Sequence, residues 1–404
     1  MKKRRVIFRI FPFNRLTIPL LLNIWEKEGI DNSLEIILSE TIPEPRRGDT
    51  ILYSFMTPHL PIIHREIEEL KKYDVIFAAG GPHVTGDTEL SEKIGFNILI
   101  PGEAENSFID FGYDLIKGDL NKSSFKIYST NKKVDFKKNI PVSKYMKLIS
   151  PLEITRGCLW NCRYCETGSI PFGNRSMESI NIYLEELKKR DFKRVGFIAP
   201  SSLEFGAEKP GKTHIEIIEK LLRLTNNKKF KFIDFGIFPS EIRPESFNDR
   251  FASVIKKYAS NKYLTFGAQS GSKERLRELK RGNNIGDIEN AVEIANRNGF
   301  ISNLDFILGF PDETKEEREI TFEFINNFKK KYSIRVQFHH FFPLAGSYYQ
   351  FRFPSELTAG EITYLDKMKK DGTSTSWWSD NENGVDMFFE WMKSNFPEYY
   401  EKFH

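Results

Sequence analysis

The sequence predicts an α/β protein: a doubly wound parallel sheet over residues 1–120, a linker over 121–150, six strand–helix repeats over 151–345 and a small aromatic-rich C-terminal region over 346–404. Three observations predict it. Strand-like and helix-like segments alternate through the first third of the chain, as parallel sheets require. Six more strand–helix repeats follow between residues 151 and 345. All three cysteines of the chain lie within eight residues of one another at the start of those repeats.

Taken in order, Arg4 to Phe11 reads as a buried strand. Thr17 to Glu28 reads as a helix, and Gly29 is its stop signal. Leu34–Leu38 and Thr50–Phe55 are the next strands. Pro61 to Lys72 is an amphipathic helix with Ile62, Ile63, Ile67 and Leu70 at helical spacing. Tyr73–Ala79 and Asn97–Ile100 complete the set. The Lys-rich stretch 118–150 is expected to hold a short hairpin and then join the domains.

The repeats of the second domain begin with the strand Pro151–Thr155. The others are Lys193–Ala199, Phe230–Phe238, Tyr263–Ala268, Ile301–Leu308 and Ser333–His340. Thr213 with Glu216 and Thr314 with Glu317 have the spacing of capping boxes. Asn298-Gly299 closes a helix.

Composition sets limits. The chain has 404 residues, 40% of them hydrophobic, enough for ordinary globular cores. Phe is unusually common at 36 residues, so cores and any substrate cavity should be aromatic-rich. A net charge of +4 is mild for this length and argues against a nucleic-acid footprint. Arg9 and Arg15 interrupt any secretory h-region. The apolar run Leu16–Trp25 falls short of the ~20 residues a membrane span needs. Clustered thiols without a disulfide partner fit a reducing cytoplasm.

The chemistry centres on Glu153 to Gly168, EITRGCLWNCRYCETG, with Cys158, Cys162 and Cys165. Three thiolates can wrap one soft metal centre and leave one coordination position open, which suggests chemistry more than structure. The alternative is a structural zinc knuckle completed by a distant His. The C-x-x-x-C-x-x-C spacing, with Tyr164 before the third cysteine, resembles the radical S-adenosylmethionine (SAM) enzymes. The resemblance implies that the six repeats over 151–345 form a partial (β/α)6 barrel, with a [4Fe-4S] cluster on the three cysteines, SAM on its fourth iron, and reductive release of a 5'-deoxyadenosyl radical. It also implies a low-potential electron donor, a ferredoxin or flavodoxin.

Further residues carry the same resemblance. Gly267 to Ser272, GAQSGS, and the following Leu279-Lys280-Arg281-Gly282 are similar to the cobalamin-type members, which implies that Gln269 and Ser270 contact SAM. Arg243 matches an arginine near the cofactor's charged end, and a guanidinium suits a carboxylate. Gly309 to Thr314, GFPDET, resembles a turn whose Ile307–Gly309 backbone lines the adenine. A Gly-Gly-Glu-like run that would hold the methionine amino group is replaced by Ala199-Pro200-Ser201-Ser202-Leu203-Glu204, where Ser201, Ser202 or Glu204 could substitute.

In the first third, the loops Pro12–Arg15, Ser54–Pro58, Gly80–Thr85 and Pro101–Glu105 sit where a parallel sheet binds ligands. GGPHVT and PGEAE resemble the Rossmann-like, cobalamin-binding type of domain. Ser54, Thr57, Gly80, Gly81, His83, Thr85, Gly102 and Glu103 are the residues this implies. The D-x-H-x-x-G motif that ligates cobalt from below is missing, and His59, His64 and His83 stand in other contexts. His339 and His340 end the sixth strand, and alternation turns one of them inward. Trp377, Trp378 and Trp391 mark a tail that either shapes a substrate pocket or packs as a cap.

The resemblance as a whole implies a cobalamin-dependent radical SAM methyltransferase acting on an unactivated carbon of an unknown substrate. The alternatives are a non-methylating rearrangement or cyclisation, and a non-enzymatic metal-binding module.

Overall fold

The computed structural model describes residues 3–130, 134–135, 139–374 and 378–404, with the backbone alone described for 378–383. Trp377 lies outside the described residues, as does the side chain of Trp378. Two compact units divide the chain: 1–149 with 344–350 and 388–401, and 150–343 with 351–387 and 402–404. The C-terminal region is therefore shared between the two units. Among the described residues no helix is long and apolar enough to cross a membrane.

The first unit contains, in order, β1 (Arg4–Arg9), α1 (Thr17–Glu28), β2 (Leu34–Ser39), β3 (Thr50–Ser54), α2 (Leu60–Leu70), β4 (Ile76–Gly80), α3 (Pro82–Gly86), α4 (Thr88–Ile94), β5 (Ile98–Ile100), α5 (Ala104–Lys117) and β6 (Lys126–Ile127). The sheet is parallel throughout, in the order β2-β1-β3-β4-β5-β6. This order reverses direction between β1 and β3, where open parallel sheets place their ligand crevice. Alternate strand residues Val6, Phe8, Leu52, Ile76, Ala78, Ile98 and Ile100 pack with α1 and α5 in one core. Trp25 stacks on Phe108 at 4.3 Å, and its Nε1–H donates to Phe108 O at 2.8 Å. Each such fully buried side chain contributes about 1.5–3 kcal/mol. Gly29 takes φ 69° and ends α1 where the sequence places its stop.

The expected hairpin in 118–150 is not what forms among the described residues. β6 instead adds in parallel to the edge of β5, Ile98 opposite Lys126, so the edge donors and acceptors are satisfied without a second new strand. The chain then returns along α1: Asn23 Nδ2 donates to Val142 O at 2.9 Å, and Tyr145 OH donates to Asp31 at 2.9 Å.

The second unit contains β7 (Leu152–Glu153), β8 (Thr155–Arg156), β9 (Gly173–Asn174), α6 (Met177–Lys189), β10 (Arg194–Ile198), α7 (Ile215–Asn227), β11 (Phe232–Asp234), α8 (Asp249–Tyr258), β12 (Tyr263–Gln269), α9 (Lys273–Glu278), α10 (Ile285–Arg297), β13 (Ile301–Leu308), α11 (Lys315–Lys331), β14 (Ile334–His340) and α12 (Ala359–Lys370). Beyond them lie α13 (Trp378–Asn395) and α14 (Pro397–Tyr400). Two parallel three-stranded sheets, β11-β10-β7 and β12-β13-β14, form the six-stranded arrangement. The parallel bridge Ile242–Phe266 joins them.

Thr314 and Glu317 form a capping box at α11, each side chain taking the other's backbone N–H (3.2 and 3.0 Å). Thr213 and Glu216 do not. Extended His214 is the N-cap of α7, so the helix starts one residue too late for Glu216 to sit at its third position.

Register gives the second sheet two chemically different faces. Leu264, Phe266, Leu304, Phe306, Val336 and Phe338 occupy one, all with no exposure. Thr265, Asn303, Asp305, Gln337 and His339 occupy the other, since alternate residues of a strand point to opposite sides. A polar inner face of this kind suits a ligand cavity rather than a packed core.

Candidate active site

The cysteine loop leaves the carboxyl end of β7 and is closed by the antiparallel pair β8–β9, Thr155 opposite Asn174 and Arg156 opposite Gly173. Gly157 makes that closure possible. It takes φ 66°, and a side chain there would meet the carbonyl oxygens of Ile170 and Pro171. Within the loop, Trp160 N–H lies 3.5 Å from Cys158 Sγ, and Cys165 N–H donates to Cys162 O at 3.1 Å. Burial pushes the Cys158 thiol up to about 11 and raises that of Cys165. Burial thus favours the protonated form of Cys158 and Cys165, and metal binding there must release those protons. Among the described residues no group of three His, Cys, Asp or Glu side chains is gathered tightly enough for one single metal ion. Thiols that each take a different corner of a cluster need no such convergence.

Two aromatic residues pin the loop. Trp160 Nε1–H donates to both carboxylate oxygens of buried Glu204, at 2.8 and 3.0 Å. Tyr164 packs against Phe310 of the turn after β13, with ring centroids 5.6 Å apart. Burial raises the Tyr164 phenol well above its ordinary value. Arg163 N–H donates to Leu279 O at 3.1 Å, which ties the loop to the segment after α9.

The SAM-site expectations fall at the ends of the neighbouring strands. Of Ser201, Ser202 and Glu204, only Ser201 has a free group: its buried Oγ has no hydrogen-bond partner. Ser202 Oγ donates to Ser240 O at 2.5 Å, and Glu204 also accepts Gly211 N–H at 2.7 Å. Arg243 is 2% exposed, with Nε on Glu245 at 2.6 Å and Nη2 donating to Arg281 O. Gln269 lies at the bulge that ends β12 and takes φ 67°, uncommon outside glycine. Ser270 Oγ accepts Ser272 N–H at 3.1 Å, which makes it part of the cap of α9. Ile307 sits in the inward row opposite His339. Gly309 N–H donates to Glu313 at 2.7 Å, and Phe310 N–H donates to the same oxygen at 3.3 Å. That carboxylate thus fixes the turn, and burial pushes it up to about 7.

Glu241, Arg281 and Asp305, which gather around the expected Gln269, were not legible as site residues. Glu241 Oε2, Arg281 Nη2 and Gln269 Nε2 all reach within 2.7 Å of the point where a Gly267 side chain would begin. Asp305 lies against Glu241 and is 1% exposed. Burial, reinforced by that second carboxylate, holds Asp305 well above the usual carboxylate range. For Arg281, burial opposes the charge, but Tyr164, Cys162, Glu245 and Glu241 outweigh it and raise its pKa. Buried atoms without partners include Arg281 Nε and both amide atoms of Asn283. Such groups ask for a polar ligand. The available signal was a charged residue inside an apolar strand, Asp305 in NLDFIL. Arg275 was also missed: fully buried, it donates to Pro311 O (3.1 Å), Asp312 O (3.0 Å) and Glu317 (2.6 Å).

In the first unit, the crevice between β1 and β3 is bridged by Phe13 stacked on His59 and by Asn14 Nδ2 donating to Ser54 O at 3.2 Å. Thr57 Oγ lies 3.1 Å from His83 Nδ1 and accepts Ala345 N–H at 3.0 Å. His83 is 1% exposed, and burial lowers its pKa to about 3. Gly80 ends β4 beside Ile100. A side chain on Gly81 would meet the backbone of Phe55, so this glycine serves the unit's own packing. Thr85 Oγ accepts Gly102 N–H at 2.9 Å. Around Gly102 itself, at φ 76°, there is open space where a side chain would stand. Glu103 is the N-cap position of α5. Backbone approach at Gly102 is therefore the feature here that fits a large planar cofactor.

Comparison with known proteins agrees with this architecture. Residues 152–325 match the sequence model of the Radical SAM superfamily. A probable threonylcarbamoyladenosine tRNA methylthiotransferase of Methanocaldococcus jannaschii is 27% identical over 332 residues, 77% of this chain and 72% of that protein. The structure of the radical SAM methyltransferase TsrM from Kitasatospora setae, with cobalamin and a [4Fe-4S] cluster bound, superposes with TM-score 0.60 at 13% identity, over 87% of this chain and 77% of that one. The cobalamin-dependent SAM radical enzyme OxsB, with aqua-cobalamin and SAM bound, gives TM-score 0.58 at 14% identity, over 98% and 67%.

Proposed function

We propose, from the premise that residues 152–325 belong to the Radical SAM superfamily, that the protein is a cobalamin-dependent radical SAM methyltransferase. The observation that carries this is the cysteine loop: three thiols on one closed loop, pinned by Trp160 and Tyr164, beside buried polar atoms with no partner. Cys158, Cys162 and Cys165 would hold a [4Fe-4S] cluster. Such a cluster would supply the one-electron reduction that cleaves the sulfonium bond of bound SAM.

The chain's own residues do the rest. Ser201 Oγ offers an unpaired hydroxyl at the end of β10. Arg243, in the segment that follows β11, has Nε on Glu245 and Nη2 on Arg281 O, which leaves Nη1 for a carboxylate. Glu313 holds the Gly309–Phe310 backbone in place for a flat base. The buried surroundings keep water from a radical. Cobalamin would lie at the crevice of the first unit, approached at Gly102, while Thr57 and His83 support the loops from inside. A ferredoxin or flavodoxin would supply the electron.

The methylthiotransferase relative makes sulfur insertion the second reading. Anaerobic reconstitution with iron, sulfide and cobalamin, followed by SAM carrying a deuterated methyl group, tests the proposal. Methyl label in a product, with corrinoid and thiolate–iron absorption, is expected. Zinc in place of iron, or label confined to methionine, would refute it.

A further inference from the structure

Trp160 lies between two of the three cysteines, and its contacts reach the loops that follow three other strands. Beyond β10, its Nε1–H is held by both oxygens of Glu204, itself only 2% exposed. Beyond β11, the Arg243 guanidinium lies over its ring, Cζ 3.8 Å from the centroid. Beyond β12, Gly282 takes φ 89° against the ring edge, where any side chain would strike the indole. Its backbone N–H points to Cys158 Sγ at 3.5 Å, and its carbonyl oxygen lies 2.6 Å from where a Gly168 side chain would begin.

The stacking matters because Arg243 is buried. An isolated buried guanidinium is costly, so its orientation follows its partners. Glu245 takes Nε, and Arg281 O takes Nη2. The indole face supports the plane, an attraction that strengthens where water is excluded. Nη1 is the nitrogen left for a ligand.

We propose that Trp160 is a positioning residue for SAM: its ring face holds Arg243 in the plane that receives the cofactor's carboxylate, and its indole N–H, anchored on Glu204, fixes that face relative to the cysteine loop. The inference rests on the radical SAM reading above. It adds that the residue between the first two cysteines sets cofactor affinity without being a ligand itself. An aromatic face is the requirement. Phe keeps the face and gives up the N–H, whereas Leu fills the space without a π-system.

The test uses full-length protein, anaerobically reconstituted, as wild type, Trp160→Phe and Trp160→Leu. Iron content and the paramagnetic resonance signal of the reduced cluster are recorded, and SAM is titrated against the change it causes in that signal. W160L should keep its iron and its unliganded signal but bind SAM about tenfold more weakly, as expected for loss of a desolvated cation–π contact of about 1–2 kcal/mol. W160F should stay within about threefold of wild type. Equal affinity in W160L and wild type overturns the proposal while leaving the radical SAM reading intact. Loss of iron in W160L makes the residue a structural anchor of the loop and overturns it too. A wild type that takes up no cluster overturns both readings.

Discussion

Asp305 and Glu241 meet carboxyl to carboxyl on the polar face of the second sheet, Asp305 fully buried and Glu241 partly open to solvent. Burial, and then the neighbouring carboxylate, disfavours the charged form of Asp305 and holds its pKa well above the ordinary value. Because its folded pKa is raised, the stability it contributes is full below its ordinary value of 3.8 and is lost as pH rises towards the folded value. Asp305→Asn removes the titrating group and keeps the side chain's shape. The variant should show a flatter stability-versus-pH profile above pH 4 than wild type. Thermal melts across that range measure it, and parallel curves would show that the pair shares no proton.

Glu313 behaves with the same sign over a defined window. Its pKa moves from 4.5 to about 7, so it costs stability progressively between those values as pH rises. Glu313→Gln should recover much of that loss at pH 7. Glu313→Ala should instead destabilise by roughly 2–5 kcal/mol, because the N–H groups of Gly309 and Phe310 lose their acceptor. Urea midpoints at pH 5 and pH 7 separate the two effects.

Gly157→Ala should leave the barrel's helical signal in place and abolish iron uptake. The added methyl group would stand against the carbonyl oxygens of Ile170 and Pro171, so β8–β9 could not close. Far-ultraviolet circular dichroism and iron analysis on the same sample check this. Full iron content would show that the loop tolerates opening.

Alanine at Cys158, Cys162 or Cys165 should each abolish SAM cleavage. The sequence holds no fourth cysteine to take over a lost position. Release of 5'-deoxyadenosine under a chemical reductant is the readout, and full activity in any one variant would count against the triad as the cluster site.

The first unit should depend on its C-terminal pieces. Asp87 caps α4 and also accepts from Gln350 Nε2 at 2.9 Å and from the Tyr399 hydroxyl. Trp391 Nε1–H donates to His64 at 3.2 Å. Tyr399→Phe should cost about 1–2 kcal/mol. Removing residues 388–404 should expose the unit to limited proteolysis. Unchanged cleavage kinetics would mean that these contacts contribute nothing.

The sequence by itself determined what depends on neighbours along the chain. α1 and β13 begin and end where periodicity and capping place them, and the Thr314–Glu317 box forms as its spacing requires. The spacing of Cys158, Cys162 and Cys165 likewise placed three thiols on one loop. Local rules failed where a tertiary partner competed: the edge of β5 captured residues 126–127, and His214 displaced Thr213 as a cap. Only the tertiary structure decided which polar groups meet. Glu241, Gln269, Arg281 and Asp305 come from four different stretches of the chain, and barrel curvature brings them together. Trp160 carries no local signal of its role because its partners, Glu204, Arg243 and Gly282, lie 44 to 122 positions away. Periodicity sets which face a side chain takes, and packing of the whole domain sets what it finds there.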